Sequence, residues 1–216
     1  MKNIDFSKIL ETGQILQTRF GLMILKPYKI GELRLTSGKL VACDPLVFLL
    51  GTEGFNTDLK PGCYPVILSV AYNQNNEEPI VAYAMLRLNE QTPVRWKMAT
   101  KPGEDLTKLK EGEAFGYYVD SGIGCFMDAD AAQVLVDSTL EAETDEEDLT
   151  SELDELLEQN TSLGFMWANM CIDKSTGANV IAFSVGVGDG FYPSYFGYDA
   201  DNNIVSVVTV CLSGNL

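Results

Sequence analysis

Strand-length apolar runs, each closed by turn-forming residues, recur along most of this chain and constrain its fold more than any other feature. Tyr64 to Tyr72, Ile80 to Leu88, Phe165 to Ile172, Asn179 to Val187 and the valine-rich Ile204 to Leu212 have the length and the side chains of strands. Pro61-Gly62, Lys174-Ser-Thr-Gly177 and Asp201-Asn-Asn203 punctuate them as turns. From Gly31 the pattern is β: Leu33 and Leu35 alternate with polar residues, Ser37-Gly38 turns the chain, and Leu40 to Cys43 runs back until Asp44-Pro45 ends it. Val94 to Met98, Ala114 to Val119 and Gly124 to Met127 are further strands. Asn73 to Glu78 reads as a long hairpin loop and Lys101 to Glu113 as surface loop. Connections this short make neighbouring strands antiparallel.

Helical spacing is confined to three places. Phe6, Ile9 and Leu10, after Asp5, predict a short helix within the first eighteen or so residues. Asp128 reads as an N-cap, with Asp130 at the positive helix end and Ala131, Val134, Leu135 and Ser138 on one side. Leu149, Leu153, Leu156 and Leu157 form the apolar stripe of another helix. The expectation is an α+β fold, mostly antiparallel β, as a sandwich or strongly curved sheet with two or three helices. It is read as a single domain over 1–216 with an acidic helical insertion at about 128–160.

Charge and composition exclude several chemistries. There is no histidine, so Ser-His-Asp and Cys-His catalysis and histidine-ligated metals are ruled out. The formal charge is −16, and ten of the 31 acids lie between Glu141 and Glu158 with no base among them. Nucleic acid is disfavoured as a partner, because phosphate contacts need a basic surface. A basic protein meeting the Glu141–Glu158 segment is the electrostatic alternative to a merely solvated helix face. The five cysteines are widely spaced among apolar neighbours, which reads as buried free thiols in a reducing compartment. No segment has membrane-spanning length and the start lacks a signal-peptide run, so the expected location is cytoplasmic, away from membranes.

Glycines, aromatics and two aspartates crowd together in Gly186 to Asp199, and the Gly188 to Asp199 part reads as a loop. Asp189 sits between two glycines, and five of the eight residues from Phe191 to Tyr198 are aromatic. Asp44, Asp120, Asp128, Asp189 and Asp199 each fall at a strand end or in a loop, where sites are built on rigid scaffolds. Asp44 and Asp128 also have plain structural explanations, as turn and cap residues. Converging Asp120 and Asp189 carboxylates would hold a hard cation or divide acid and base roles. Tyr192 and Tyr195 offer rings for stacking and phenols for hydrogen bonding, whereas Phe196, with no polar tip, belongs to the core. The Gly186-x-Gly188-x-Gly190 pattern lacks the lysine and the following helix of a phosphate loop. Asp199 to Asn203 fails as a calcium loop, because Ile204 and Val210 stand where glycine and glutamate are needed. Cys125 reads as a buried thiol, and Ser121 has no base to make it a nucleophile. No metal or cofactor is called for.

Three blocks stand out together: Ser37 to Pro45, Tyr118 to Asp128, and Gly186 to Asp199. In this order they resemble a bacterial family of cytoplasmic proteins described only as a domain of unknown function. The resemblance transfers no catalytic residue. It implies that the three blocks are a family signature and lie side by side in the fold. The functional expectation is a binding or interaction protein, inhibitor- or immunity-like, with a polar-aromatic pocket built from Asp120, Ser121, Asp189, Gly190, Tyr192, Tyr195 and Asp199. A carboxylate-dependent hydrolase and a carbohydrate-binding module are the alternatives. Whether the chain is an enzyme, and its oligomeric state, are left open.

Overall fold

Alternating burial along the strands builds two sheets that share one core. The computed structural model describes residues 5–73, 79–144 and 148–216. Strands β1 (Ile15–Thr18), β2 (Gly21–Leu35), β3 (Leu40–Cys43), β4 (Gly62–Asn73), β5 (Ile80–Arg87) and β6 (Arg95–Met98) come first. Next are β7 (Tyr117–Val119), β8 (Ile123–Asp128) and two helices, α1 (Ala129–Glu141) and α2 (Leu149–Gln159). The chain closes with β9 (Trp167–Asp173), β10 (Ala178–Ser184), β11 (Gly190–Tyr192), β12 (Ser194–Tyr198) and β13 (Ile204–Val210). A long sheet runs β1-β2-β4-β5-β13-β12-β6, a short one β3-β8-β10-β9, and β11 pairs with β7 alone. All these pairings are antiparallel. The long sheet curls strongly into a half-barrel, so the fold is α+β with mostly antiparallel strands.

The period-two alternation sends successive side chains to opposite faces. Leu33, Leu68, Phe196 and Val207 of the long sheet therefore meet Phe126, Ile181 and Phe183 of the short one in the central core. The opposite face of the short sheet, with Cys125, Val180 and Ala182, packs against Leu135, Leu153 and Leu157 of the two helices. Burying each such leucine stabilises the fold by roughly 1.5–3 kcal/mol. The opposite face of the long sheet carries Met23, Tyr83, Tyr195 and Val208, covered by Phe6 and Ile9.

One amide ties the sheets together. Asn179 of β10 accepts the Arg34 N–H through Oδ1 at 2.8 Å, and its Nδ2 donates to the Glu32 carbonyl at 2.9 Å. A register shift between Lys29 and Gly31 bends β2 there. A Cβ at Gly31 would lie 2.6 Å from the Asn169 side-chain nitrogen, so any larger residue there has to displace that amide.

Several sequence expectations need correction. The short helix around Phe6 is a series of turns leading into β1; Phe6 and Ile9 are buried as a lid, not as a helix face. β2 begins ten residues before Gly31, although Pro27 lies inside it. Two strands, β11 and β12, occupy the segment read as a glycine-aromatic loop. Cys63 and Cys171 are exposed, unlike buried Cys43, Cys125 and Cys211, because strand alternation turns them outward. The expected hairpin loop lies, over 74–78, outside the described residues, as do 145–147 of the acidic segment. Among the described residues, no helix is long and apolar enough to cross a membrane.

Candidate functional site

Two glycine-bordered bends, about seventy residues apart in sequence, are held against each other by backbone pairing. The first is the Asp120-Ser-Gly122 bend between β7 and β8. The second is the Gly186-Val-Gly-Asp189 bend between β10 and β11. Gly190 is the ladder partner of Val119, so Asp120 and Asp189 flank the same end of the β7–β11 pair. The Val185 N–H donates to the Gly122 carbonyl at 3.0 Å. Both Gly122 (φ 76°) and Gly188 (φ 101°) have left-handed backbones, and a Cβ on Gly122 would lie 3.7 Å from the Gly188 Cα. Glycine on each side lets the bends touch.

Asp44 adds a third loop. Its carboxylate is fully buried and accepts four backbone N–H groups. Oδ1 takes Leu46 (2.9 Å) and Val47 (3.1 Å), while Oδ2 takes Asp120 (3.0 Å) and Ser121 (2.9 Å). One side chain thus closes its own turn and anchors the neighbouring bend, and charge-assisted bonds to amides are the strong kind. Asp128 does similar work at the far end of β8. It caps α1 through Asp130 N–H and accepts from the Ser37 hydroxyl at 2.6 Å and the Gly38 N–H at 3.0 Å. The first two sequence blocks meet through these two carboxylates, and the third joins the second through the β7–β11 ladder.

The aromatic residues divide. Tyr192 is buried in the central core, and its hydroxyl donates to the Gly188 carbonyl at 2.5 Å, bracing the second bend from beneath. Burial, aided by Cys211 and Asp189, pushes its phenol up to about 12. Tyr195 points to the other face of the long sheet, packed on Phe6 at 5.2 Å between ring centroids, and burial raises its phenol too. There it lines a cleft of about 700 Å³ with Tyr83 and Pro193, away from the two bends. Asp199 is buried in the β12–β13 turn. Burial acts to raise its carboxyl, but bonds from the Asn203 N–H (2.8 Å) and side-chain amide (3.1 Å) outweigh it and hold it below the ordinary value. Asp120, Asp189 and Gly190 are exposed, and Ser121 is half-buried. The bends therefore bring Asp120, Ser121, Asp189 and Gly190 together, and leave Tyr195 and Asp199 elsewhere.

Two rings missed at the sequence level occupy the surface instead. Tyr118 and Phe191, ladder partners in β7 and β11, are 67% and 39% exposed and pack edge-on at 4.9 Å. The signal was available: in Tyr117-Tyr-Val119 strand alternation buries the first and third residues and turns Tyr118 outward. Val187, Val47, Phe48 and Leu50 are also exposed on the joined loops. Cys125 beneath them is fully buried, and burial drives its thiol far above the ordinary value, leaving it protonated. Its Sγ lies 3.8 Å from that of Cys43, its partner across the β3–β8 ladder. Among the described residues no three acid or cysteine side chains gather closely enough to share a metal ion.

The core that carries these loops coincides with a known family. A family model described as a protein of unknown function, DUF4241, matches residues 33–209. The chain belongs to the DUF4241 family. The match takes in all three sequence blocks, both bends and the Asp44 clamp, while β1 and most of β2 lie before it. No curated protein and no solved structure matches this DUF4241 chain.

Proposed function

We propose that this DUF4241 protein is a binding protein whose contact surface is the joined-loop face around Tyr118 and Phe191. The carrying observation is the convergence of the two bends and the Asp44 turn into one exposed patch of rings bordered by Asp120 and Asp189. Exposed aromatics clustered on rigidly held loops are the usual anchors of protein contacts. Two carboxylates beside them, neither in an ion pair among the described residues, favour a basic partner, consistent with an inhibitor- or immunity-type role. The five free thiols fit a reducing, cytoplasmic setting.

The hydrolase reading has less support. Asp120 and Asp189 flank one ladder end, but among the described residues no third acid or cysteine gathers with them to hold a metal ion. For a saccharide site, Tyr118 and Phe191 are better placed than Tyr192 and Tyr195, whose rings are almost wholly covered.

The test is site-directed photo-cross-linking in the native cell. A cross-linker at position 118 should trap a discrete basic protein, and the adduct should vanish in an Asp120→Lys/Asp189→Lys variant of unchanged thermal stability. The same probe at exposed Asp201 should trap nothing in common with it. Identical adducts from both positions, or an adduct indifferent to charge reversal, would remove the joined-loop face from consideration.

A further inference from the structure

The first half of β2, with β1, exposes a second apolar surface remote in sequence from the joined loops. Ile15, Leu22 and Ile24 are 53%, 52% and 39% exposed, and Phe20 at the connecting turn is 48% exposed. Ile15 stands opposite Ile24, while Leu22, Ile24 and Lys26 alternate onto one face. A sheet face left to water normally carries polar side chains, so four large apolar ones together mark a contact surface.

The face is also basic. Arg19 lies over the Phe20 ring and Lys26 over the Tyr72 ring, each 4.7 Å from the centroid. Neither cation has an ion-pair partner among the described residues. Residues 1–39 hold seven of the fifteen cations and only three of the 31 acids, so the rest of the chain is still more acidic than its total of −16.

The complementary surface is on the same molecule. Helix α2 packs on β9 and α1 through Leu153 and Leu157 and turns Glu152, Asp154, Glu155 and Glu158 to solvent. None of these four has an ion-pair partner among the described residues. On the neighbouring helix α1, Val134 and Leu140 are exposed apolar residues. We propose that the β1–β2 face binds the acidic α1–α2 face of a second copy of this chain. Apolar side chains meet on both sides while Arg19 and Lys26 approach the α2 carboxylates. This deepens the basic-partner reading for the acidic segment, and it stands or falls independently of the joined-loop face.

Sedimentation equilibrium of the full chain tests it. The wild type should show a mass above 23.7 kDa that rises with concentration. Leu22→Asp/Ile24→Asp and, separately, Glu152→Lys/Glu155→Lys/Glu158→Lys should each weaken association at least about tenfold. All five positions are exposed or nearly so, and matching thermal midpoints check the folds. Mixing the two variants should restore assembly, because each contributes one intact face. Arg19→Glu/Lys26→Glu serves as a second face variant should the aspartates disturb β2; it should be rescued by the helix-reversed protein. A wild type at 23.7 kDa throughout overturns the proposal. So does a helix-reversed variant that still assembles, which means two sheet faces pack on each other, or a mixture that fails to recover. A wild type that stays monomeric yet floats with phosphatidylserine vesicles assigns the face to lipid and overturns it equally.

Discussion

Asp44 shows how one side chain can organise a surface it does not occupy. Its two oxygens are saturated by four amides, two local and two from the neighbouring bend. Asparagine would keep one acceptor and present an NH2 to the other pair of N–H groups, a donor facing donors. Asp44→Asn should therefore cost about 3 kcal/mol in urea unfolding, more than a simple loss of charge, since bonds to ionised groups contribute roughly 1.5–3 kcal/mol. Limited proteolysis should then cut first at the Asp120 bend; a variant as stable and as resistant as wild type would show that the clamp is dispensable. At this scale the sequence was only partly legible. Asp44 before Pro45 reads as turn chemistry, and that is half its role; the other half needs a contact seventy-six residues away, which no local pattern carries. The same limit hid Tyr192 and Tyr195. Glycine spacing marks where the chain bends, yet whether a nearby ring faces water depends on which sheet covers it.

Among the elements, the helices were the most readable, because caps and apolar stripes are local signals. Asp128 caps α1, and Asp148 caps α2 through the Thr150 N–H at 2.9 Å, with further bonds from the Thr150 and Thr139 hydroxyls. Burial acts to raise the Asp148 carboxyl, but these bonds prevail and hold it below 3.8. A depressed folded pKa gives stability that is present above the unfolded value and lost as pH falls through the folded one. Asp148→Ala should thus lower stability by about 1 kcal/mol at neutral pH. The difference from wild type should close as pH drops below 3.8, as followed by thermal melts; a gap independent of pH would assign the effect to packing. Strands were harder. β2 was found only from Gly31 because Pro27 argues against a strand interior, and the bulge beside Gly31 resets the alternation. β11 and β12 were hidden by composition, since glycine and proline in the 186–199 segment signal loops more strongly than its aromatics signal strands.

For the whole molecule, the two-sheet arrangement follows from simple alternation, and the α+β class was legible for that reason. The stacking order of the strands was not, because β5 with β13 and β6 with β12 pair residues more than ninety positions apart. The cores also set a common response to base. Tyr83 and Tyr192, on opposite faces of the long sheet, are both pushed up to about 12 by burial, and fully enclosed Tyr117 is raised by the same cause. Each folded pKa lies above the unfolded value of 10, so this contribution is whole below pH 10 and lost as pH climbs toward the folded values. Circular dichroism and phenolate absorbance should change together between pH 10 and 12; ionisation of these rings inside an intact native spectrum would contradict their burial. The Asp44 clamp has a further bearing on recognition. Loops fixed before encounter lose little motional freedom on docking, so a partner meets a finished shape. Substitutions that loosen the clamp should then shorten the lifetime of a complex while scarcely altering how fast it forms.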